Sequence, residues 1–314
     1  MNDKVLVIGY GPVGAATTER LAALGRQVSV AQRKPPATLP EAIPFIPCDV
    51  ERSASLRVAA RGAAQIVLAV GLPYSGALWR EMWPKIIDNV VETAAETGAR
   101  VVFVDNLYMY GPQTTPLTES MALTNVGLKP AARAAATRVW QVASASGRVK
   151  FAALRGPDFY GPGVGLSVLG DTGLGALARG KPAMWFNDVE TPHDIAYVPD
   201  FARAVVSLLD APDDAYGQAW HLPCAPTLRP REVLGLGAAA LGAPLKIRAL
   251  PFWALRAMGL VNPLMGEFVE MKFQWDRPYR VDYSKFAARF WADATPFEEG
   301  IARTALSFRQ RGVA

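Results

Sequence analysis

Short runs of β-branched and other apolar residues alternate with longer stretches of helical spacing through the first half of the chain. The apolar runs predict six buried strands, at residues 4–8, 27–32, 43–47, 65–70, 100–105 and 149–154. The helical spacing predicts four helices, at residues 12–24, 53–61, 77–97 and 121–146. Strands joined by helices of this length form right-handed crossovers, so the pattern predicts an α/β fold with a doubly wound, Rossmann-type parallel sheet.

The sequence pattern changes from about residue 156, where glycines and then prolines interrupt the helical patches. We therefore expect two domains. The dinucleotide-binding Rossmann domain would comprise 1–165 plus about 192–212, and a smaller substrate-binding domain would comprise 166–191 and 213–314. The most apolar stretch of this half, 250–271, is typical of core helices, and a substrate pocket or a dimer face is the alternative.

Composition narrows the function classes. Of the 314 residues, 51% are hydrophobic, which excludes global disorder. The net charge of +5 is spread along the chain without a basic arm, so we expect no nucleic-acid partner. The two cysteines, Cys48 and Cys224, form no metal or disulfide pattern. No signal peptide or membrane-length apolar segment stands out, and we expect a cytoplasmic protein that does not bind membranes.

A glycine motif follows the first predicted strand directly and opens the first predicted helix. Residues 9–14 read GYGPVG, which is the GxGxxG pattern of dinucleotide-binding proteins. Gly9 permits the tight turn, Gly11 lets the backbone approach a pyrophosphate, and Gly14 lets helix and strand pack closely. Pro12 and Val13 begin the helix whose positive N-terminal end faces the phosphates.

The end of the second strand indicates which dinucleotide binds. NAD enzymes carry an acidic residue there for the ribose 2′-hydroxyl, but residues 28–34 read VSVAQRK and contain none. Arg33 and Lys34 can instead pair with a 2′-phosphate, so the sequence favours NADP(H) over NAD(H). Further cofactor contacts are expected at the ends of the next two strands, at Asp49, Val50, Ala69 and Val70.

Several segments together resemble the extended short-chain dehydrogenase/reductases of the NAD-dependent epimerase/dehydratase family. They read VDNLYMYG at 104–111, LRGPDFYGPG at 154–163 and HDIAYVPDFA at 193–202, with DYSK and TPFEEG near the C-terminus. The likeness covers nearly the whole chain, and the GxGxxG opening in place of TGxxGxxG marks an atypical branch. The resemblance also implies that Asp158 contacts the cofactor.

The resemblance implies catalysis by serine or threonine, tyrosine and lysine, the last two spaced as YxxxK. Lys129 matches the lysine, which holds the nicotinamide ribose in the family. Asn125 stands in place of the tyrosine, and Asn106 in place of the serine. An amide can donate a hydrogen bond to a carbonyl, but it cannot exchange a proton near neutral pH.

Three interpretations of this departure stay open. In the first, Tyr108 supplies or positions the proton and Asn106 orients the substrate. In the second, hydrogen bonds alone stabilise the developing charge and water provides the proton. In the third, the protein is a catalytically silent NADP-binding sensor or regulator. A nucleotide-sugar epimerase or dehydratase is a further alternative, although His193 and its neighbours replace the arginine with which that family grips sugar nucleotides.

The sequence thus predicts an NADP(H)-dependent oxidoreductase that acts on a carbonyl or conjugated carbonyl of a small, fairly apolar molecule. Trp79 lies one helical turn from Trp83, a spacing that a plain core stripe also explains. We expect no metal ion, and a homodimer, common in the family, is left open. The residues expected to line the substrate pocket are Tyr74, Trp79, Asn125, Tyr160 and His193.

Overall fold

The computed structural model describes residues 4–311, and it contains all six predicted strands. The strands are β1 (Val5–Ile8), β2 (Val28–Gln32), β3 (Phe45–Pro47), β4 (Gln65–Leu68), β5 (Arg100–Asp105), β6 (Phe151–Arg155), β7 (Phe159–Tyr160), β8 (Ala183–Phe186), β9 (Ala196–Tyr197), β10 (Ala219–His221) and β11 (Ile247–Leu250). The helices are α1 (Pro12–Ala23), α2 (Ser53–Ala59), α3 (Gly76–Thr97), α4 (Leu128–Ala145), α5 (Gly175–Ala178), α6 (Val198–Leu209), α7 (Pro230–Leu241), α8 (Phe252–Gly259), α9 (Pro263–Glu270), α10 (Ser284–Arg289) and α11 (Phe297–Arg311).

One seven-stranded sheet forms the centre of the first half, in the order β10-β6-β5-β4-β1-β2-β3. The pairings from β6 to β3 are parallel, and Val5 of β1 lies opposite both Val28 of β2 and Gln65 of β4. The strand order reverses beside β1, which is where open α/β sheets bind ligands at their carboxyl ends. The doubly wound fold expected from the sequence is therefore confirmed.

The chain divides into two compact units whose boundaries differ from those expected. The first unit comprises the residues up to Gly111, Ala122–Arg155 and Phe201–Trp220. The second comprises Pro112–Met121, Gly156–Asp200 and the residues from His221 onward. Residues 112–121, 156–165 and 192–200, expected in the Rossmann domain, thus lie in the second unit, whereas 213–220 lie in the first.

Backbone hydrogen bonds explain these shifts. The Gly217 amide donates to the Phe151 carbonyl, which attaches the chain before β10 to β6. Strand β7 pairs with β9 in a small sheet of its own, so 156–165 and 192–200 belong together. The Leu117 amide donates to the Arg280 carbonyl, which ties 112–121 to the C-terminal segments. Short strands of this kind carry no long hydrophobic run, so the apolar pattern did not reveal their pairing.

Helix α4 begins at Leu128, seven residues later than predicted. Gly127 has a positive φ of +81°, and the amide of Val126 donates to the hydroxyl of Thr124 in a local turn. These features hold the segment before Leu128 in a loop. The buried face of α4 carries Lys129, Arg133, Thr137 and Trp140, which follow helical spacing.

The apolar stretch 250–271 in the second unit contributes little to the core, since Leu255 and Met271 are its only buried residues. It forms the helices α8 and α9, of which α9 buries no residue. A Cβ on Gly259 would lie 3.0 Å from the Cα of Gly266, so the two helices pack closely on each other. Trp253 on α8 and Leu260, which follows the end of α8, are 75% and 86% exposed. Within 4–311, no helix is both long and apolar enough to span a bilayer.

Candidate functional site

The glycine turn between β1 and α1 uses its three glycines in different ways. Gly9 has a φ of +95°, and a Cβ there would lie 2.6 Å from the carbonyl oxygen of Ala69. A Cβ on Gly14 would lie 2.0 Å from the carbonyl oxygen of Gly9, so the fold itself requires both glycines. A Cβ on Gly11 would meet no atom within 4 Å, and its φ of −73° suits any residue. The backbone at Gly11 is therefore open to a ligand, as a pyrophosphate contact requires.

The N-terminus of α1 is built to receive an anion. Gly11 is its N-cap and offers no side-chain cap, Pro12 occupies the first turn, and that turn contains no acidic residue. The first amides of a helix lack intrahelical acceptors and carry the positive end of the helix dipole. Together with the open backbone at Gly11, this geometry fits a phosphate group.

The end of β2 carries Gln32, a residue that sequence reasoning passed over. Its Oε1 accepts a hydrogen bond from the Tyr10 amide at 3.1 Å, and its Nε2 donates to the Lys34 carbonyl at 2.7 Å. The side chain thus joins the glycine turn to the turn that carries Arg33, and both Arg33 and Lys34 are exposed. Gln32 could have been identified from the sequence, because it is the last residue of the second predicted strand, the position at which NAD enzymes carry an acidic residue.

The other predicted cofactor contacts of the first unit lie at neighbouring strand ends. Ala69 and Val70 follow β4 directly and are the backbone neighbours of Gly9. Asp49 follows β3, and its carboxylate accepts the amide of Glu51 at 3.1 Å, so this carboxylate shapes the turn that leads into α2. The backbone carbonyl of Val50 accepts a hydrogen bond from the side-chain amide of Asn89.

Four aromatic side chains form one cluster in the first unit: Tyr74, Trp79, Trp83 and Tyr108. The Trp79 ring is stacked on Tyr108 at 6.0 Å and meets Tyr74 edge-on at 5.5 Å. Trp79 and Trp83 are buried, whereas Tyr74 and Tyr108 are partly buried. Trp79 is thus a core residue, and it also contacts the two partly exposed tyrosines, Tyr74 and Tyr108, so a place beside a pocket stays open.

Two cations from α4 lie against this aromatic cluster. The Lys129 ammonium is fully buried and lies 4.9 Å from the centre of the Tyr74 ring. The Arg133 guanidinium lies one turn further along, 3.9 Å from the centre of the Trp83 ring. Burial lowers the pKa of Arg133, and the nearby carboxylate of Asp105 opposes that shift. A cation over an aromatic face is stabilised by the electron density of the ring.

A buried network lies behind the cluster at the ends of β5 and β6. The Asp105 carboxylate pairs with the guanidinium of Arg133 and accepts from Arg155 Nε at 3.3 Å. Arg155 also donates to the hydroxyl oxygens of Tyr110, at 2.6 Å, and Thr137, at 3.1 Å. The Tyr110 phenol, which ends the family's Tyr-Gly segment, is thus held inside the protein as an acceptor.

The polar residue after β5 is held in a defined position. The backbone amide of Asn106 donates to the Asp105 carboxylate at 2.8 Å, and the side-chain Oδ1 of Asn106 accepts from the backbone amide of Tyr108 at 3.0 Å. With its oxygen in use, the Asn106 side chain offers Nδ2 as a donor, which suits a carbonyl oxygen. A local turn therefore holds Asn106 and Tyr108 side by side.

Asn125 lies apart from these groups. It is exposed, it precedes α4, and its Oδ1 accepts from Arg138 at 3.0 Å. The structure thus places Asn125 at the surface, whereas Lys129 is buried.

The remaining predicted site residues lie in the second unit. His193 is buried, its Nε2 lies 3.2 Å from the Asp158 carboxylate, and its ring is stacked on Tyr279 at 5.1 Å. Tyr160 packs on Tyr197 and Phe297, and burial raises the pKa of its phenol. In the described part of the chain, no three His, Cys, Asp or Glu side chains converge on a metal position.

The parallel sheet, the open glycine turn and the uncapped helix N-terminus define a Rossmann-type nucleotide-binding protein. The chain belongs to the NAD dependent epimerase/dehydratase family, whose sequence profile matches residues 5–222. This confirms the resemblance seen in the sequence. No functionally curated protein has a significantly similar sequence.

Solved structures of this fold cover almost the whole chain. The UDP-glucose 4-epimerase of Thermus thermophilus, in complex with NAD, is 21% identical with a TM-score of 0.76, and the match covers 98% of this chain and 99% of that one. The dTDP-glucose 4,6-dehydratase DesIV of Streptomyces venezuelae, with NAD bound, is 19% identical with a TM-score of 0.78, over 99% and 98% of the two chains. At these identities the likeness establishes the fold.

Proposed function

We propose that this protein is an NADP(H)-dependent oxidoreductase that reduces a carbonyl or conjugated carbonyl of a small, fairly apolar substrate. The observation that carries the proposal is the end of β2. There a neutral Gln32 is tied to the glycine turn, and exposed Arg33 and Lys34 follow it. A 2′-phosphate pairs with a guanidinium, whereas a lone 2′-hydroxyl would find no carboxylate on β2.

The nucleotide would be held by the first unit. The open backbone at Gly11 and the first amides of α1 would bind the pyrophosphate, and Arg33 would pair with the 2′-phosphate. When bound, the nicotinamide supplies a hydride, which makes a ketone or aldehyde the natural substrate.

The groups around the aromatic cluster support the choice of substrate. Tyr74, Trp79 and Tyr108 offer apolar ring surface, which suits a conjugated or apolar molecule. The Nδ2 of Asn106 and the phenol of Tyr108 would orient the carbonyl oxygen. A phenol of this cluster would supply the proton.

Epimerisation or dehydration of a nucleotide sugar is the second candidate function. The structural likeness to a UDP-glucose epimerase and a dTDP-glucose dehydratase favours it, because those enzymes match almost end to end. Those two proteins have NAD bound, and an NAD-dependent sugar enzyme would make Arg33 an ordinary surface residue.

Turnover of candidate substrates tests the proposal. The purified protein would be mixed with NADPH or NADH and a panel of aldehydes, ketones and enones, and the loss of reduced cofactor would be followed by absorbance. Parallel samples would contain UDP-glucose or dTDP-glucose, with products identified by chromatography. We expect carbonyl-dependent oxidation of NADPH, for which Gly11→Ala should require a higher NADPH concentration.

The other outcomes are informative as well. Conversion of a nucleotide sugar would establish the second candidate and contradict the first. Tight binding of NADPH without turnover of any compound would point to a regulator that senses the cofactor.

A further inference from the structure

The ammonium of Lys129 faces a phenol from a distant part of the chain. Lys129 Nζ lies 4.9 Å from the centre of the Tyr74 ring, and Tyr74 stands in the loop between β4 and α3. Lys129 is fully buried, whereas Tyr74 keeps part of its surface exposed. A buried cation thus lies against the ring of a tyrosine that is partly exposed.

The loop that carries Tyr74 is held in place on both sides. The Pro73 carbonyl accepts hydrogen bonds from Trp79 Nε1, at 2.9 Å, and from the Ser75 amide, at 2.8 Å. Ser75 is also the N-cap of α3, where its hydroxyl accepts from the Leu78 amide. Tyr74 is therefore fixed between a helix start and the Trp79 ring against which it packs.

The other phenols near the site are engaged differently. The Tyr110 hydroxyl is buried and accepts from Arg155, and Tyr160 is buried in the second unit. Tyr108 is stacked on Trp79 and interacts electrostatically with Arg133, whose guanidinium is paired with Asp105. Tyr74 is the phenol over whose ring the Lys129 ammonium lies.

We propose that Tyr74 is the proton donor of the reduction proposed above and that Lys129 is its electrostatic partner. The proposal rests on the proposed function. As hydride adds to the carbonyl carbon, the C=O π bond breaks, the Tyr74 O–H bond breaks and its proton passes to the substrate oxygen. The products are an alcohol and NADP⁺. The positive charge of Lys129 stabilises the phenolate until water returns a proton to it.

This assignment gives Lys129 and Tyr108 defined roles. Lys129 stabilises the Tyr74 phenolate electrostatically and does not need to touch the substrate, so its complete burial is compatible with this role. Tyr108, beside Asn106, is left to orient the substrate. The tyrosine–lysine pair of the family pattern is thereby rebuilt from two separate segments of this chain.

The ionisation of the two phenols can be measured without a substrate. Protein with ¹³C-labelled tyrosine rings would be followed by NMR as the pH is raised, with Tyr74→Phe and Tyr108→Phe assigning the two signals. We expect Tyr74 to ionise at lower pH than Tyr108. Lys129→Met, which is close in size, should move the Tyr74 transition upward by about one pH unit or more and the Tyr108 transition by less.

Either of two results would overturn the pairing: a Tyr108 that ionises first, or a Tyr74 transition that Lys129→Met leaves in place. The wild-type order decides the matter if Lys129→Met does not fold. Lys129→Arg, which keeps the charge, should leave the Tyr74 transition nearly unchanged.

Kinetics then test the step itself. With a substrate found in the carbonyl panel, Tyr74→Phe should lower kcat about 10²–10⁴-fold and leave NADPH affinity unchanged, whereas Tyr108→Phe should lower it less than about tenfold. Tyr74→Phe that keeps more than half of wild-type turnover would overturn the assignment. An absence of carbonyl turnover in the wild type would instead overturn the proposed function, and the NMR experiment would still decide whether Lys129 acts on Tyr74.

Discussion

Gly11 and Gly14 belong to one turn, yet the reason for a glycine differs between the two positions. At Gly14 the demand comes from the protein, because a Cβ would lie 2.0 Å from the Gly9 carbonyl oxygen. At Gly11 no described atom beyond the two chain neighbours lies within 4 Å of the position that a Cβ would take, so packing does not require a glycine there, whereas the proposed pyrophosphate contact does. Packing and binding are therefore separable by substitution at this motif.

The first prediction uses that separation. Gly11→Ala should change the free energy of unfolding by less than about 1 kcal/mol, because its φ of −73° is ordinary and its surroundings are open. It should nevertheless weaken NADPH binding at least about tenfold, since the methyl group occupies the place of the pyrophosphate. Urea unfolding and calorimetry measure the two effects.

Gly14→Ala is the matched control. Its methyl group would meet the Gly9 carbonyl, so this variant should lose about 1–3 kcal/mol of unfolding free energy or fail to fold. If Gly11→Ala bound NADPH as the wild type does, the phosphate role of Gly11 would be wrong.

At the scale of elements, the start of α4 determines whether positions 125 and 129 of the family motif lie on one helix. The helix begins at Leu128, so Lys129 lies in its first turn and Asn125 lies in the loop before it. An exposed Asn125 bonded to Arg138 is not one helical turn behind Lys129 on a buried face. The four-residue spacing of the family motif is kept between Asn125 and Lys129, but the tyrosine is absent and α4 does not extend back to position 125.

A second prediction follows for Asn125→Tyr. Because position 125 is exposed and outside α4, a tyrosine there should not restore turnover to the Tyr74→Phe variant. Val126→Tyr, at the exposed neighbouring position, is the control and should behave alike. Recovery of activity in the Asn125→Tyr variant alone, measured as kcat, would show that the loop reaches the site.

A third prediction concerns the junction of α4, β5 and β6. Asp105→Asn removes the carboxylate that two buried arginines, Arg133 and Arg155, share. Two cations would then stay buried without it, which should cost about 3–5 kcal/mol of unfolding free energy. Urea denaturation measures the loss.

The surface pair Glu92–Arg148 provides the comparison for that loss. Both side chains are nearly half exposed, so Glu92→Gln should cost less than about 1 kcal/mol. Equal losses in the two variants would mean that the buried network contributes no more than a surface ion pair.

The elements of the sheet could be predicted because their signal is local. The apolar runs around Val5 and Val101 and the glycines at 9, 11 and 14 carry it within a few residues. The network at Asp105 could not be predicted, because its partners come from α4 and from β6, 28 and 50 residues away. The same holds for Tyr74 and Lys129, which only the folded chain brings together.

At the scale of the whole molecule, the response of stability to alkaline pH depends on buried thiols and phenols, two of which lie in the first unit. Burial raises the pKa of the Cys48 thiol from 9.0 to about 11. Burial likewise raises the pKa of the Tyr216 phenol from 10.0 to about 12. Both groups hold their protons more tightly in the folded chain than in the unfolded chain.

The fourth prediction is a loss of stability at alkaline pH. The stabilisation from these two groups is complete below about pH 9, and it is lost as the pH rises through the folded values toward 11 and 12. The free energy of unfolding, measured in urea at steps from pH 7 to pH 10, should therefore begin to fall above about pH 9. Cys48→Ala should weaken the decline, and a decline of unchanged slope in that variant would assign it to other groups.

The proposed function depends on which dinucleotide the molecule binds, since Arg33 and Gln32 occupy the place of the acid that NAD enzymes use. Calorimetric titration of the wild-type protein with NADPH and with NADH, under the same buffer and salt, tests this most directly. NADPH should bind at least about tenfold more tightly, since one charge-assisted phosphate contact contributes about 1.5–3 kcal/mol. Arg33→Ala should remove the preference and leave NADH binding nearly unchanged, and Arg61→Ala, at another exposed arginine, should alter neither. Equal affinities in the wild type, or tighter binding of NADH, would contradict the assignment of NADP(H).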